Sequence, residues 1–209
     1  MKKSGGVGNK HNHNFKSINQ TYKNFEEFLL KNGRLPASTT QKGYWGVTPT
    51  RELFTVFQTL FEHQKNLNPI SGRYNSKKYP CCKSFCDLGS GDGRVVLMAS
   101  LFGMKKAVGV EFDNWLHKVS LHMKNHIGLD HFWKTKFIRD DFLGHNVRGY
   151  DYVYISPDRP FHRDLEEKFQ NELNGKLIVH SYEFHPQSLK LVQKFNLQGE
   201  FFGVYENSK

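Results

Sequence analysis

The run Phe85-Cys86-Asp87-Leu88-Gly89-Ser90-Gly91-Asp92-Gly93-Arg94 restricts what this chain can fold into more than any other stretch. An apolar strand enters a turn with glycine at every second position, and a helix over 94–102 leaves it. Glycine tolerates so tight a bend and lets backbone lie against a ligand. Open α/β sheets hold nucleotide-like ligands at their carboxyl edge in this way. The spacing argues against the dinucleotide-binding version of the turn. That version reads G-x-G-x-x-G and would place its last glycine where Arg94 stands. Here the pattern is G-x-G-x-G, preceded by an acid, Asp87. A chance glycine-rich turn has the same letters, so other residues must decide.

Two more acids stand in the right order. Ala107-Val108-Gly109-Val110-Glu111 reads as a second apolar strand ending in a carboxylate. Nucleotide-binding sheets place an acid there, roughly 20 residues after the turn, to accept hydrogen bonds from ribose hydroxyls. A solvated loop carboxylate is the plain alternative for Glu111. The third strand, 135–139, leaves into the acidic turn Asp140-Asp141-Phe142.

The rest of the chain supplies the sheet. Further strands are expected at 152–155 and 176–180, and helices at 114–127, 161–173 and 187–195. Strand and helix in alternation imply a parallel sheet covered on both faces. The end breaks the rhythm: 197–202 and 204–206 read as a closing antiparallel hairpin around Gly203. The fold class is therefore α/β, a Rossmann-like doubly wound seven-stranded sheet, mostly parallel with a C-terminal antiparallel hairpin.

The part before the sheet reads in two pieces. Residues 1–23 hold five Lys and no Asp or Glu in a Lys, Asn, Gly, Ser and His background. Such composition predicts a flexible basic arm, either a solubilising tail or a tether for an acidic partner such as RNA or an acidic protein. Residues 24–80 form a helical lead-in and linker. Residues 25–30 have helical character, closed by Gly33 and Pro36, and the loop 42–50 is aromatic. Arg51 then opens an amphipathic helix with Leu53, Phe54, Phe57, Leu60 and Phe61 on one face. The polar stretch 66–80 is a linker running into the sheet-bearing domain, 81–209.

Bulk properties narrow the class. The net charge of +10 favours acidic partners, nucleic acid above all. No apolar run approaches a membrane span, and the N-terminal residues lack the apolar core of a secretory signal. A cytoplasmic protein is expected. Cys81, Cys82 and Cys86 are odd in number and have no second cluster, so neither a disulfide framework nor a four-ligand zinc site is indicated. No metal is expected. His180 ends a strand near the expected acceptor pocket, as a base near neutral pH or as a structural hydrogen-bonded group.

The Asp87–Arg94 motif with Glu111 resembles the first motifs of class I S-adenosylmethionine (SAM) methyltransferases. That resemblance implies SAM as cofactor, held by Asp87, Gly89, Ser90, Gly91, Gly93 and Glu111. It gives Asp141 the adenine amino group and Phe142 a backbone N–H and a ring face. The lead-in Tyr44-Trp45-Gly46-Val47-Thr48-Pro49-Thr50 and the late segment 177–184 are similar to the small seven-stranded protein lysine methyltransferases of archaeal and mitochondrial type. They are more distantly similar to the nucleosomal lysine methyltransferase of this fold. By that likeness Tyr44, Thr48 and Thr50 close over the cofactor, and aromatic faces here suit a cationic sulfonium. The likeness runs in patches from Tyr44 to the C-terminus.

The acceptor is expected at the strand ending Tyr152-Val153-Tyr154-Ile155-Ser156-Pro157-Asp158-Arg159. Many amino-directed methyltransferases carry an acid or amide followed by Pro-Pro and an aromatic there. Ser-Pro-Asp-Arg departs from that pattern and weakens DNA-adenine and glutamine-amide readings. Tyr154 and Ser156 are the candidates to orient an amine. The resemblance implies a SAM-dependent N-methyltransferase acting on a protein lysine. An RNA methyltransferase is the alternative, favoured by the charge, and a non-catalytic SAM-binding interaction module is a second.

Overall fold

Alternation of side chains along five short strands builds the core from both faces of one sheet. In the computed structural model, which describes residues 7–62 and 83–208, these are β3 (Ser84–Leu88), β4 (Lys106–Glu111), β5 (Thr135–Arg139), β6 (Tyr152–Ile155) and β7 (Lys176–His180). Two more strands, β8 (Lys190–Leu197) and β9 (Glu200–Glu206), complete the order β5-β4-β3-β6-β7-β9-β8. β5, β4, β3, β6 and β7 are parallel, and β9 and β8 are antiparallel. This is the Rossmann-like sheet expected from the strand and helix rhythm.

Phe85, Tyr152, Tyr154, Ile178 and Phe202 face one side. There they meet α1 (Val7–Lys31), α2 (Thr50–Glu62), α3 (Arg94–Ser100) and α4 (Asn114–Ile127). Cys86, Leu88, Val153, Ile155, Leu177 and Val179 face the other, against α5 (Arg163–Glu172) and Val147 and Tyr150. Topology reverses at β3, which has β4 on one side and β6 on the other. Ligands of such sheets bind outside the carboxyl ends of the strands at that crevice.

Three expectations are corrected. The stretch read as a flexible arm is helical from Val7 onward. Asn14, Ile18, Tyr22 and Leu29 of α1 are buried, an i, i+4 stripe that a composition averaged over 1–23 conceals. The helix expected at 187–195 is the strand β8, whose pairing with β9 overrides its helical spacing. The hairpin turns at Gln198 and Gly199, with φ of 49° and 90°. Gly203 instead sits inside β9, opposite Val179 and Lys194.

The loop 42–50 also holds more structure than expected. A small hairpin, β1 (Ala37–Thr40) and β2 (Gly43–Gly46), precedes α2. The linker 66–80, Cys81, Cys82 and residues 1–6 lie outside the described residues. Among the described residues no helix is long and apolar enough to cross a membrane.

Candidate donor and acceptor site

The turn after β3 forms the floor of the site. Gly89 and Ser90 donate their backbone N–H groups to the Val110 carbonyl, at 2.9 and 3.0 Å, which pins the turn to β4. Gly91 has φ of 52°, and a Cβ there would stand 2.7 Å from the Trp45 indole. Glycine is required on both counts. Gly89 has φ of 79° and nothing within 4 Å of a built Cβ. Its open side faces a cavity of about 630 Å³, within the ~300–1,000 Å³ of small-molecule sites.

Asp87 and Glu111 give that cavity its charge. The Asp87 carboxylate is 1% exposed, and its Oδ2 is buried without a partner among the described residues. Burial pushes its pKa well above the usual carboxylate value, and the charges of Glu111 and Asp92 add to this. Glu111 accepts from the Gly91 N–H at 2.8 Å and the Asp113 N–H at 2.7 Å. Burial raises its pKa too, while those amide bonds oppose the rise. An orphaned, desolvated carboxylate beside a bare glycine backbone suits a ligand that brings a cation or strong donors. Adenosyl and methionyl groups with a cationic sulfur fit that description.

Five carboxylates line the cavity (Asp87, Asp92, Glu111, Asp141 and Asp158) against three cations (Lys42, Arg94 and Arg159). Each cation is paired: Lys42 with Asp141, Arg94 with Asp92, and Arg159 with Asp158. Asp87 and Glu111 are left over, so the pocket is acidic inside a chain of net charge +10.

Most of the expected residues line this one cavity. Tyr44, Thr48, Asp87, Gly89, Ser90, Gly91, Glu111, Asp141, Phe142, Tyr154 and Ser156 all border it. Two do not. Gly93 turns away and packs on Phe137 and Ser120, with 2.6 and 2.8 Å to a built Cβ. Thr50 opens α2 and donates its hydroxyl to Asn19 Oδ1 of α1 at 2.5 Å. Ser90 contributes backbone, since its Oγ lies against Gly109.

Tyr154 comes from the end of β6, opposite Asp87 in register. Its hydroxyl is 3.4 Å from Thr48 Oγ1. Burial raises its pKa well above the usual value; the Thr48 bond opposes this and the Asp87 and Glu200 charges reinforce it. The hydroxyl therefore stays protonated near neutral pH. Ser156 Oγ donates to the His180 carbonyl at 3.2 Å. The His180 ring stacks on Phe202 at 4.3 Å, with Nε2 2.7 Å from Glu200. His180 is not among the cavity residues, which matches its structural reading.

Several functional positions escaped the sequence reading. Arg94, 3% exposed, grips Asp92 with Nε and Nη2, Glu26 with Nη1 at 2.7 Å, and the Thr48 carbonyl at 3.3 Å. It ties α1 and the strap before α2 to the glycine turn. Asp158 accepts the Tyr44 N–H at 2.7 Å and so fastens β2 to the loop after β6. Trp45 lids Gly91 and meets Trp115 edge-on at 5.8 Å. Trp45 was visible only as part of an aromatic loop. For Arg94 and Asp158, residue type gave no signal.

The sequence model of the ANTKMT methyltransferase domain matches residues 87–193. No curated protein matches the chain in sequence. Solved structures share the fold at low identity. An RNA methyltransferase from Salinibacter ruber in complex with S-adenosyl-L-homocysteine is 18% identical, with TM-score 0.56, over 78% of this chain and 95% of that one. A ribosomal protein L11 methylase from Lactobacillus delbrueckii subsp. bulgaricus is 10% identical, with TM-score 0.53, over 77% and 81%. A Pyrococcus abyssi tRNA (uracil-54, C5)-methyltransferase is 15% identical, with TM-score 0.52, over 82% and 40%.

Proposed function

The chain belongs to the ANTKMT methyltransferase family, and from that premise we propose that its acceptor is the side-chain amine of a protein lysine. The methyl donor is S-adenosylmethionine, which supplies a methyl group on a cationic sulfur. Asp87, Glu111 and the turn at Gly89 and Gly91 would hold it, with Asp141 and Phe142 lining the same cavity.

The observation that carries the lysine reading is a pair of neutral hydroxyls, Tyr154 and Thr48, in the wall of the same cavity. Tyr154 and Thr48 present hydroxyls at the end of β6, where an amine can be oriented by hydrogen bonds. Methyl transfer needs positioning and exclusion of water more than covalent help, and orientation supplies up to ~7–11 kcal/mol. No dedicated base is assigned. The amine must be neutral to attack, and a lysine pKa near 10.4 makes rate rise with pH.

The RNA reading draws on a different observation, the net charge of +10. One experiment separates the two. Purified protein is incubated with methyl-labelled donor and cell lysate, then treated with protease or RNase. Label that survives RNase, is released by protease and hydrolyses to methyl-lysine supports the lysine reading. Its yield should climb between about pH 7 and 9. Label removed by RNase would overturn the lysine assignment. Donor binding with no label in either fraction would point to a non-catalytic module.

A further inference from the structure

The turn between β1 and β2 carries a lysine into the donor cavity. Lys42 Nζ pairs with Asp141 Oδ2 and stands 4.7 Å from the centroid of the Phe112 ring. Phe112 directly follows Glu111, and all three residues border the cavity. The same turn is fastened on its other side. The Lys42 carbonyl accepts from Arg159 Nη2 at 3.4 Å, and Tyr44 N–H donates to Asp158. Gly43 lies so close to Asp158 that a Cβ would stand 2.6 Å from Oδ2. The turn thus bridges the loops after β5 and β6 across the mouth of the site.

An aromatic face beside a carboxylate is a bracket for a flat heterocyclic amine: the ring stacks and the carboxylate accepts from the amino group. Lys42 already uses both contacts, its ammonium on the Phe112 face and on the Asp141 carboxylate. Burial works to raise the Asp141 pKa, but the Lys42 bond and the Leu143 N–H outweigh it, so the carboxylate is ionised and the pair is a true ion pair. The two side chains are 46% and 32% exposed, which lets the pair open readily and makes it sensitive to salt.

We infer that Lys42 is an internal competitor for the adenosyl end of the donor site, holding Asp141 and the Phe112 face until the base displaces it. The inference rests on the cavity being the SAM site. Its consequence follows from population arithmetic: apparent affinity is the intrinsic affinity scaled by the open fraction. Lys42 therefore weakens donor and product binding alike, and its return to Asp141 helps expel the product, a step that limits many enzymes.

Calorimetric titration of S-adenosylhomocysteine tests this. Lys42→Met keeps the aliphatic stem and removes the charge. It should bind about 3- to 10-fold more tightly than wild type. Wild-type affinity should improve between low and moderate salt, and Lys42→Met affinity should not. In an Asp141→Asn background the Lys42→Met gain should vanish. Unchanged or weaker binding by Lys42→Met would overturn the inference, because Lys42 would then be neutral or a donor ligand. Wild-type protein that binds no S-adenosylhomocysteine would instead overturn the donor site itself.

Discussion

The floor and the cover of the candidate site are built on different principles. The floor is local: one turn, Gly89 to Gly93, and the ends of β3 and β4, tied by bonds to the adjacent strand such as Gly89 to Val110. The cover is assembled from afar. α1 reaches the floor through Tyr22 to Asp92 and Glu26 to Arg94, and the β1–β2 hairpin reaches the loops after β5 and β6 beside it through Lys42 to Asp141 and Tyr44 to Asp158. A floor of this kind can be recognised in any chain that contains it. A cover of this kind exists only once the whole chain is folded.

Arg94 joins the two regions, so its loss should break the comparison most severely. Its side chain is 4% exposed, and its partner Asp92 is 2% exposed. Arg94→Met keeps volume and leaves Asp92 as a buried unpaired charge. Removing one partner from a buried pair costs about 3–5 kcal/mol. Urea denaturation should show that loss, with α1 released from the glycine turn. Arg94→Lys should recover only part of it, because one ammonium cannot reproduce the forked contacts to Asp92 and Glu26. A variant as stable as wild type would mean that apolar packing alone secures the cover.

Asp87 tests the floor by itself. Its buried Oδ2 has no partner among the described residues, so in the ligand-free protein the group is a liability to the fold. Asp87→Asn should weaken donor binding about 10- to 100-fold and stabilise the ligand-free protein by about 1–3 kcal/mol at neutral pH. The sign with pH follows from the raised pKa. The folded protein keeps the Asp87 proton to higher pH than the unfolded chain. Wild-type stability from this group is therefore greatest below the unfolded carboxylate pKa near 4 and falls as pH rises toward the folded value. The advantage of the variant should shrink as pH is lowered toward ~4, which paired melting curves would reveal.

Legibility in the sequence follows the same division. The strands β3, β4, β5, β6 and β7 and the turn were readable because short apolar runs bounded by turns and glycine spacing are local signals. Asp87, Glu111 and Asp141 were readable because strand ends are. β8 was misread because Leu189, Leu191, Val192 and Phe195 fit a helical repeat, and only pairing with β9 settles the matter. α1 was misread because its stripe of Asn14, Ile18, Tyr22 and Leu29 is sparse within polar composition. Lys42 and Asp158 were unreadable: their contacts span 99 and 114 residues, and a surface lysine or turn aspartate carries no mark of its partner.

Tyr22 gives the finest cut between floor and cover. Its hydroxyl donates to the Asp92 carbonyl at 3.0 Å, and its ring lies 4.6 Å from the Arg94 guanidinium. Burial raises its pKa well above the usual value, so it remains a donor across the accessible pH range. Tyr22→Phe keeps the ring and its cation–π contact and deletes one hydrogen bond, a loss of about 1 kcal/mol. For a chain of this size that lowers Tm by about 2–4 °C. Where the loss appears is the informative part. If cover and floor unfold together, the whole melting curve shifts and amide exchange accelerates evenly in α1 and β3. If α1 opens on its own, exchange quickens in α1 alone while the sheet keeps its protection. The second outcome would make the cover a separately opening unit, held to the floor less tightly than the sheet is held to itself.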